Sequence, residues 1–293
     1  MKGVTKMPNW VTNTVKAQNF DVLKEKLIDV DEYTVDFNKL LPMPEDLNIT
    51  AGSYEWLEDK YNLGFNQNKI EAQQEIIEPI LNEIYNSKEM TQAEFIEEVE
   101  KRKVILYAKF VIIYDIRTTD RTETEIRDDI RNIIKGYYNL RTYGVKNWYD
   151  WHVKNWGTKW NVGEAELIDE GSKTVSFQTA WSTPEGIFRE LSKYTKVVVT
   201  YADEDTGSNY GIDIYENGEL TQLLDDQNKS IGEAYACRGE GIDNLEEMYS
   251  EDNYTDEEIQ EYWGMDREAL INGAEQDYNR TEQLINETFD SLD

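Results

Sequence analysis

The sequence predicts an α+β protein, and three observations carry that reading. Segments alternating apolar and polar residues, the pattern of a half-buried strand, occur near residue 10 and again between residues 174 and 215. Between them, apolar residues recur at helical spacing. The last fifth of the chain is densely acidic yet keeps apolar residues at helical intervals, which predicts short amphipathic helices with acidic outer faces. Aromatic residues are abundant, at 19 Tyr, 8 Phe and 8 Trp, and that supply excludes wholesale disorder despite the charge.

In order, Asn9 to Val15 alternates as a strand, and Phe20, Leu23, Leu27 and Ile28 then fall at helical spacing behind a cap at Asn19 or Asp21. Tyr33 to Phe37 alternates again and enters Pro42 and Pro44, where the chain must turn. Ile70, Ile76, Ile77, Ile80, Leu81 and Ile84 fit one buried helical stripe. The capping-box pattern of Thr91 and Glu94 opens a second helix through Phe95, Ile96 and Val99. Val104 to Ile116 fits a buried strand or a helix equally, and Thr124 to Tyr138 reads as helix through Ile126, Ile130, Ile133 and Ile134. An aromatic helix from Trp148 to Trp156 ends at Gly157. Thr174 to Thr179 is a strand, Ser182 to Glu185 starts a helix with proline in its first turn, and Lys196 to Tyr201 and Tyr210 to Tyr215 are strands, the latter closed by Asn217-Gly218.

Charge is the strongest compositional fact. The chain carries 60 acidic and 30 basic residues, a formal −30. Glu240 to Asp293 holds 18 of the acids against Arg267 and Arg280 alone, a net −16. Such a field repels phosphate backbones and anionic membranes, so the expected partner is neither nucleic acid nor a membrane but a protein with a basic surface. The bland alternative is acidity that serves solubility. The single cysteine, Cys237, cannot form an internal disulfide, and no run approaches membrane-spanning length, so the expected location is the host-cell cytoplasm.

Motifs for chemistry are sparse. No phosphate-loop or dinucleotide pattern and no Cys/His zinc set is present, so no catalytic, metal or cofactor residue is assigned. His152, the one histidine, has no second histidine to complete a dyad. Trp148, Trp151, Trp156, Trp160 and Trp181 fit core packing better than a stacking platform. Asp203-Glu204-Asp205-Thr206-Gly207 lacks the ligand spacing of a calcium loop and reads as a solvated hairpin turn, and neither Asp225-Asp226 nor Glu257-Glu258 stands out among so many acids. The candidate partner-binding residues are Glu246, Glu247, Glu251, Asp252, Asp256, Glu257, Glu258 and Glu261.

Two stretches, Tyr143 to Trp151 continuing through Asn155 to Asn161, and Phe177 to Pro184, stand with Asn9-Trp10 and Phe37 to Pro44 in an order that resembles the ferredoxin-like domain of phage and plasmid proteins of the YubB type, a family of unassigned activity. The resemblance covers about residues 7–47 and 143–220. It implies a split ferredoxin-like sandwich, an antiparallel sheet with helices on one face. The expected organisation is a discontinuous core of 7–50 and 142–220, a mostly helical insertion of 51–141 and an acidic helical section of 221–293. It also implies a gene carried by a mobile element.

Taken together, these readings point to a non-catalytic, acidic phage or mobile-element protein that binds and inhibits a host protein. The expected target is a nucleic-acid-binding defence complex, blocked by imitation of DNA or by wrapping. One alternative is an enzyme or small-ligand binder with a site between core and insertion; another is a phage accessory or structural protein. Self-association stays open, because exposed aromatics would favour it and charge opposes it.

Overall fold

A computed structural model describes residues 9–29, 31–49, 79–102, 123–163, 166–204, 208–241, 247, 249–250 and 253–293. They divide into two compact units, one drawn from 1–42 and 152–293, the other from 43–151. The run Val104 to Ile116 and the apolar positions Ile70, Ile76 and Ile77 lie outside the described residues.

The first unit is built on a six-stranded antiparallel sheet. Its strands are β1 (Trp10–Ala17), β2 (Glu166–Asp169), β3 (Thr174–Ala180), β4 (Val197–Asp203), β5 (Tyr210–Glu216) and β6 (Glu219–Leu224), in the order β2-β3-β1-β4-β5-β6. Because β1 is antiparallel to both β3 and β4, the last two run parallel with β1 between them, a split β-α-β unit. The first four strands and their helical crossovers thus trace the ferredoxin-like path, and β5 and β6 extend the sheet. The β5–β6 hairpin closes through Asn217 and Gly218, both at positive φ, as a tight turn between twisted strands requires. The fold class is α+β.

One correction concerns the second strand of the ferredoxin-like path. Tyr33 to Phe37 alternates, but only Val35 forms an isolated bridge, to Ile28. Asp36 instead caps a short helix, accepting from the Asn38 N–H, and a capped turn competes with ladder pairing. The strand filling that role is β2, far along the chain, paired to β3 with Ile168 opposite Val175.

Side-chain alternation gives the sheet two faces. On the first lie Val11, Val15, Val175, Phe177, Val197, Val199 and Tyr215, all buried. Helix α1 (Phe20–Leu27) and the short α2 (Phe37–Leu40) supply Leu23, Leu27 and Phe37 to this core. In the second unit, α3 (79–87), α4 (Gln92–Lys101) and α5 (Glu123–Tyr143) gather Leu81, Ile84, Phe95, Val99, Ile134 and Tyr138 into a separate core. The capping box of Thr91 and Glu94 forms as the spacing predicts. Helix α6 (Trp148–Asn155) follows, and α7 (Glu185–Leu191) brings Ile187, Phe188 and Leu191 over the first face, with Phe188 packed between Phe177 and Tyr215.

The second face is covered by the acidic C-terminal section. Helix α8 (Ile231–Arg238) and the long α10 (Arg267–Asp290) pack Ala234, Cys237, Leu284, Ile285 and Phe289 against Val198, Ala202, Tyr210, Ile212 and Ile214. Burial pushes the Cys237 thiol well above its usual range, which makes it an inert core residue. Between them, α9 (Asp256–Trp263) sets Ile259 into a cluster with Tyr249, Leu270, Ala274 and Tyr278. Backbones of α8 and α10 touch at Gly232, where a Cβ would stand 1.9 Å from the Ala274 carbonyl oxygen. No helix among the described residues is long and apolar enough to cross a membrane.

Two polar groups in this unit have consequences for stability. Glu233 on α8 is fully buried; its carboxylate accepts from the Tyr210 hydroxyl of β5 at 2.8 Å and pairs with Arg280 of α10 at 2.6 Å. Asp213 on β5 is 3% exposed on the first face, where one oxygen accepts from the Tyr215 hydroxyl at 3.1 Å and Oδ1 has no hydrogen-bond partner. Burial raises the Asp213 pKa to about 6, while the Tyr215 hydrogen bond lowers it in part.

Two tests follow from this packing. Gly232→Ala should destabilise the protein by about 2–4 kcal/mol, because backbone rather than a flexible side chain must move. Gly273→Ala lies on α10 with nothing within 4 Å and should instead stabilise by about 0.5–1 kcal/mol through helix propensity. Chemical denaturation of both variants reads the difference. For Asp213, the folded pKa lies above the unfolded one, so the ionised form is penalised as pH rises from about 4 through 6. Asp213→Asn should therefore gain up to about 2–3 kcal/mol over the parent at pH 7.5, with the gain vanishing near pH 4; melts across that range check it.

Candidate functional site

Two surfaces of the first unit stand apart from ordinary solvated surface. The first is the outer side of α9 and α10. Residues Asp256, Glu257, Glu258, Glu261, Glu268, Glu282, Glu287 and Asp290 are exposed there. Both basic residues of this section are turned to internal use. Arg267 donates to the carbonyls of Tyr249 and Tyr254 and to Asp256 at 2.9 Å, and Arg280 spans Glu233 and Asp277. Burying the apolar stripe of α10 against α8 and the sheet, and Ile259 of α9 against α8 and α10, therefore leaves an outward carboxylate array with its local cations already engaged.

Of the eight acids singled out in the sequence, Glu246, Glu251 and Asp252 lie outside the described residues. Glu247 is exposed. Asp256 is engaged by Arg267. Glu258 is the reciprocal partner in a capping box, accepting from the Thr255 N–H at 2.8 Å, and that hydrogen bond holds its carboxyl below the usual range. Glu257 and Glu261 share the exposed side of α9. The array is thus in part engaged within the fold, at Asp256 and Glu258, and in part exposed, at Glu247, Glu257 and Glu261.

The second surface is aromatic. Of the five tryptophans considered together in the sequence, Trp148 is half-buried and edge-on to Tyr149, and the other four separate into two groups. Trp156 is 1% exposed, donates its indole N–H to the Leu41 carbonyl at 2.9 Å and packs edge-on to Phe37, and Trp151 is buried within the second unit. Trp160 and Trp181 are 38% and 49% exposed, and their rings stack with centroids 6.0 Å apart. Trp10 joins them at 6.5 Å from Trp160. All three sit where β1 begins and β3 ends, beside the part of the second sheet face on which Thr12, Thr14, Ser176 and Gln178 are half-buried and Leu167 is 64% exposed. The ammonium of Lys159 lies over both rings, 4.2 Å from Trp160 and 4.8 Å from Trp181. Sequence spacing missed this group because the three rings come from separate segments that only the β1–β3 register joins.

The remaining candidates take structural roles. His152 stacks on Trp156 at 3.7 Å and its Nδ1 meets the Lys159 carbonyl at 2.9 Å. Burial holds its pKa below the ordinary imidazole value, which favours the neutral ring with Nδ1 as donor. In the turn after β4, Asp203 accepts from the Asn9 amide and Glu204 from the Trp10 backbone N–H, so both carboxylates tie down the start of β1; Asp205, Thr206 and Gly207 lie outside the described residues. Asp225 caps the 3₁₀ turn Asp226–Asn228, and Asp226 accepts from the Asn209 N–H. Among the described residues no group of three or more His, Cys, Asp or Glu is placed to hold a metal ion.

Comparison with known proteins bears on the fold of one part of the chain. Residues 155–252 match the family model described as the ferredoxin-like domain in Api92-like protein. The match begins at the end of α6, takes in β2 to β6 and continues through α8 into the acidic section. No curated protein matches the chain. A crystal structure of protein api92 from Yersinia pseudotuberculosis aligns with 74% of this chain and 98% of its own at 11% identity, with a TM-score of 0.31. About a third of the chain is therefore similar to a ferredoxin-like domain, in agreement with the strand order of its sheet.

Proposed function

We propose that this chain is a non-catalytic protein of a mobile genetic element that binds and blocks a host protein through the partner's basic, nucleic-acid-binding surface. The observation that carries the reading is the fate of charge in the C-terminal section. Arg267 and Arg280 are each paired within the section, Arg267 to the Tyr249 and Tyr254 carbonyls and Asp256, Arg280 to Glu233 and Asp277, while the acids of α9 and α10 face outward, α10 packed on the sheet and α9 packed on α8 and α10. A rigid carboxylate array presents negative charge without the ordering cost that a flexible acidic tail would carry on binding. It also gives electrostatic steering toward a cationic groove, and with it strong dependence on salt. The mobile-element origin rests on the sequence resemblance to phage and plasmid proteins, and inhibition of a defence complex is the role that combines that origin with such a surface.

Removing the whole acidic section is the wrong way to test this, because α8 and α10 cover Val198, Ile212 and Tyr210 and their loss would unfold the sheet. Reversing charge on exposed positions is clean. Host proteins captured on the purified chain at low salt should include a nucleic-acid-binding protein that duplex DNA displaces. The Glu257→Lys, Glu261→Lys, Glu268→Lys triple variant should hold that partner at least tenfold more weakly. Capture that neither DNA nor the triple variant diminishes would contradict the proposal.

A further inference from the structure

The aromatic group at the start of β1 is costly to keep where it is. Trp181 has a left-handed backbone, φ 66°, a conformation that costs a bulky residue about 1–3 kcal/mol. About half of its surface nonetheless remains in water, so that cost is not recovered by burial. Trp160 is likewise exposed over more than a third of its surface. Exposed indoles that add little to the core are the kind of residue that anchors interfaces.

What the rings accept is visible within the chain itself. The Lys159 ammonium lies within 5 Å of both ring centroids, the geometry of a cation–π contact. Glu204 sits beside this group, its carboxylate on the Trp10 N–H at 3.1 Å, and adds negative charge to the rim. A single-stranded nucleic acid stacked here would need a cationic track for its phosphates. Lys16 on the same sheet face and Lys173 in the β2–β3 turn do not provide one, because both are paired to Asp293, at 2.9 and 3.0 Å.

We infer that the Trp160–Trp181 pair is a seat for a cationic side chain, best an arginine, contributed by a basic protein partner and taking the place of Lys159. Arginine suits it because a planar guanidinium stacks on indole and is less strongly hydrated than an ammonium. The inference rests on the proposed basic partner and adds a second, aromatic contact point away from the acidic array of α9.

A nona-arginine peptide serves as the probe, with binding followed by calorimetry and by the indole N–H resonances of the isotope-labelled protein, assigned by single Trp→Phe variants. The Trp160 and Trp181 signals should move on titration while that of buried Trp156 stays fixed. Trp160→Ala and Trp181→Ala should each weaken binding by about fivefold, with dispersion of the remaining amide signals reporting an intact fold, and Lys159→Gln should tighten it. If the peptide binds with salt dependence but the two indole signals stay fixed and the variants bind like the parent, this inference falls while the acidic-surface reading stands. No binding of the peptide overturns both. An oligothymidylate that shifts the same two signals would identify a base-stacking site and overturn the cation seat.

Discussion

Glu233 has no solvent contact, and a buried carboxylate is tolerated only when its oxygens find donors. Here they are met by the Tyr210 hydroxyl from the sheet and by Arg280 from α10. Arg280 continues to Asp277, Asp277 accepts from the Ser230 hydroxyl, and the Ser230 N–H returns to the Tyr210 oxygen. The result is a closed ring of polar contacts joining β5, the start of α8 and the middle of α10. Beside it Gly232 lets the two helix backbones touch at Ala274. Apolar burial supplies the attraction between these helices and the sheet, but the ring and the glycine contact fix their register.

That register decides where the charge goes. With α10 held along the second face, its buried stripe of Leu270, Ala274 and Tyr278 sets the outward direction of Glu268, Glu282 and Glu287. On the β1–β3–β2 part of that face Thr12, Thr14, Ser176 and Gln178 stay half-buried, Leu167 is exposed, and Trp160 and Trp181 are not absorbed into a core. The acidic array and the aromatic group both follow from a cover that packs on the β4–β5 part of the sheet and pairs its own two arginines with neighbouring carboxylates.

Much of the fold is legible in the residues, and the exceptions have physical causes. β1 and β3 alternate because one face of each packs against apolar side chains, β4 reads as a continuous apolar run because both of its faces are buried, and Asn217-Gly218 announces its hairpin. β2 is four residues long at a sheet edge, too short to show a period, while Tyr33 to Phe37 shows the period without the pairing because Asp36 caps a helix instead. The site is less legible. That α9 carries acids on an amphipathic frame follows from spacing, and Thr255 and Glu258 stand at the same capping-box spacing as Thr91 and Glu94, a signal the choice of candidate acids passed over when it took Glu257 and Glu258 together. The tryptophans illustrate a limit of spacing: Trp156 and Trp160 are one helical turn apart in sequence, yet one is core and the other surface. Burial here is decided by Phe37 and Leu41, more than a hundred residues earlier in the chain, which receive Trp156.

The acidic surface is rigid only if the C-terminal helices are part of the sheet's cooperative structure, and native-state hydrogen exchange tests this most directly. Amides in the middle of α10, from Ala274 to Leu284, should exchange with the same opening free energy as those of β4, through global unfolding alone. Exchange of α10 through a separate opening several kcal/mol below that of β4 would show an appended helix on an independent sheet, and would contradict the claim that the ring around Glu233 holds the acidic surface rigid.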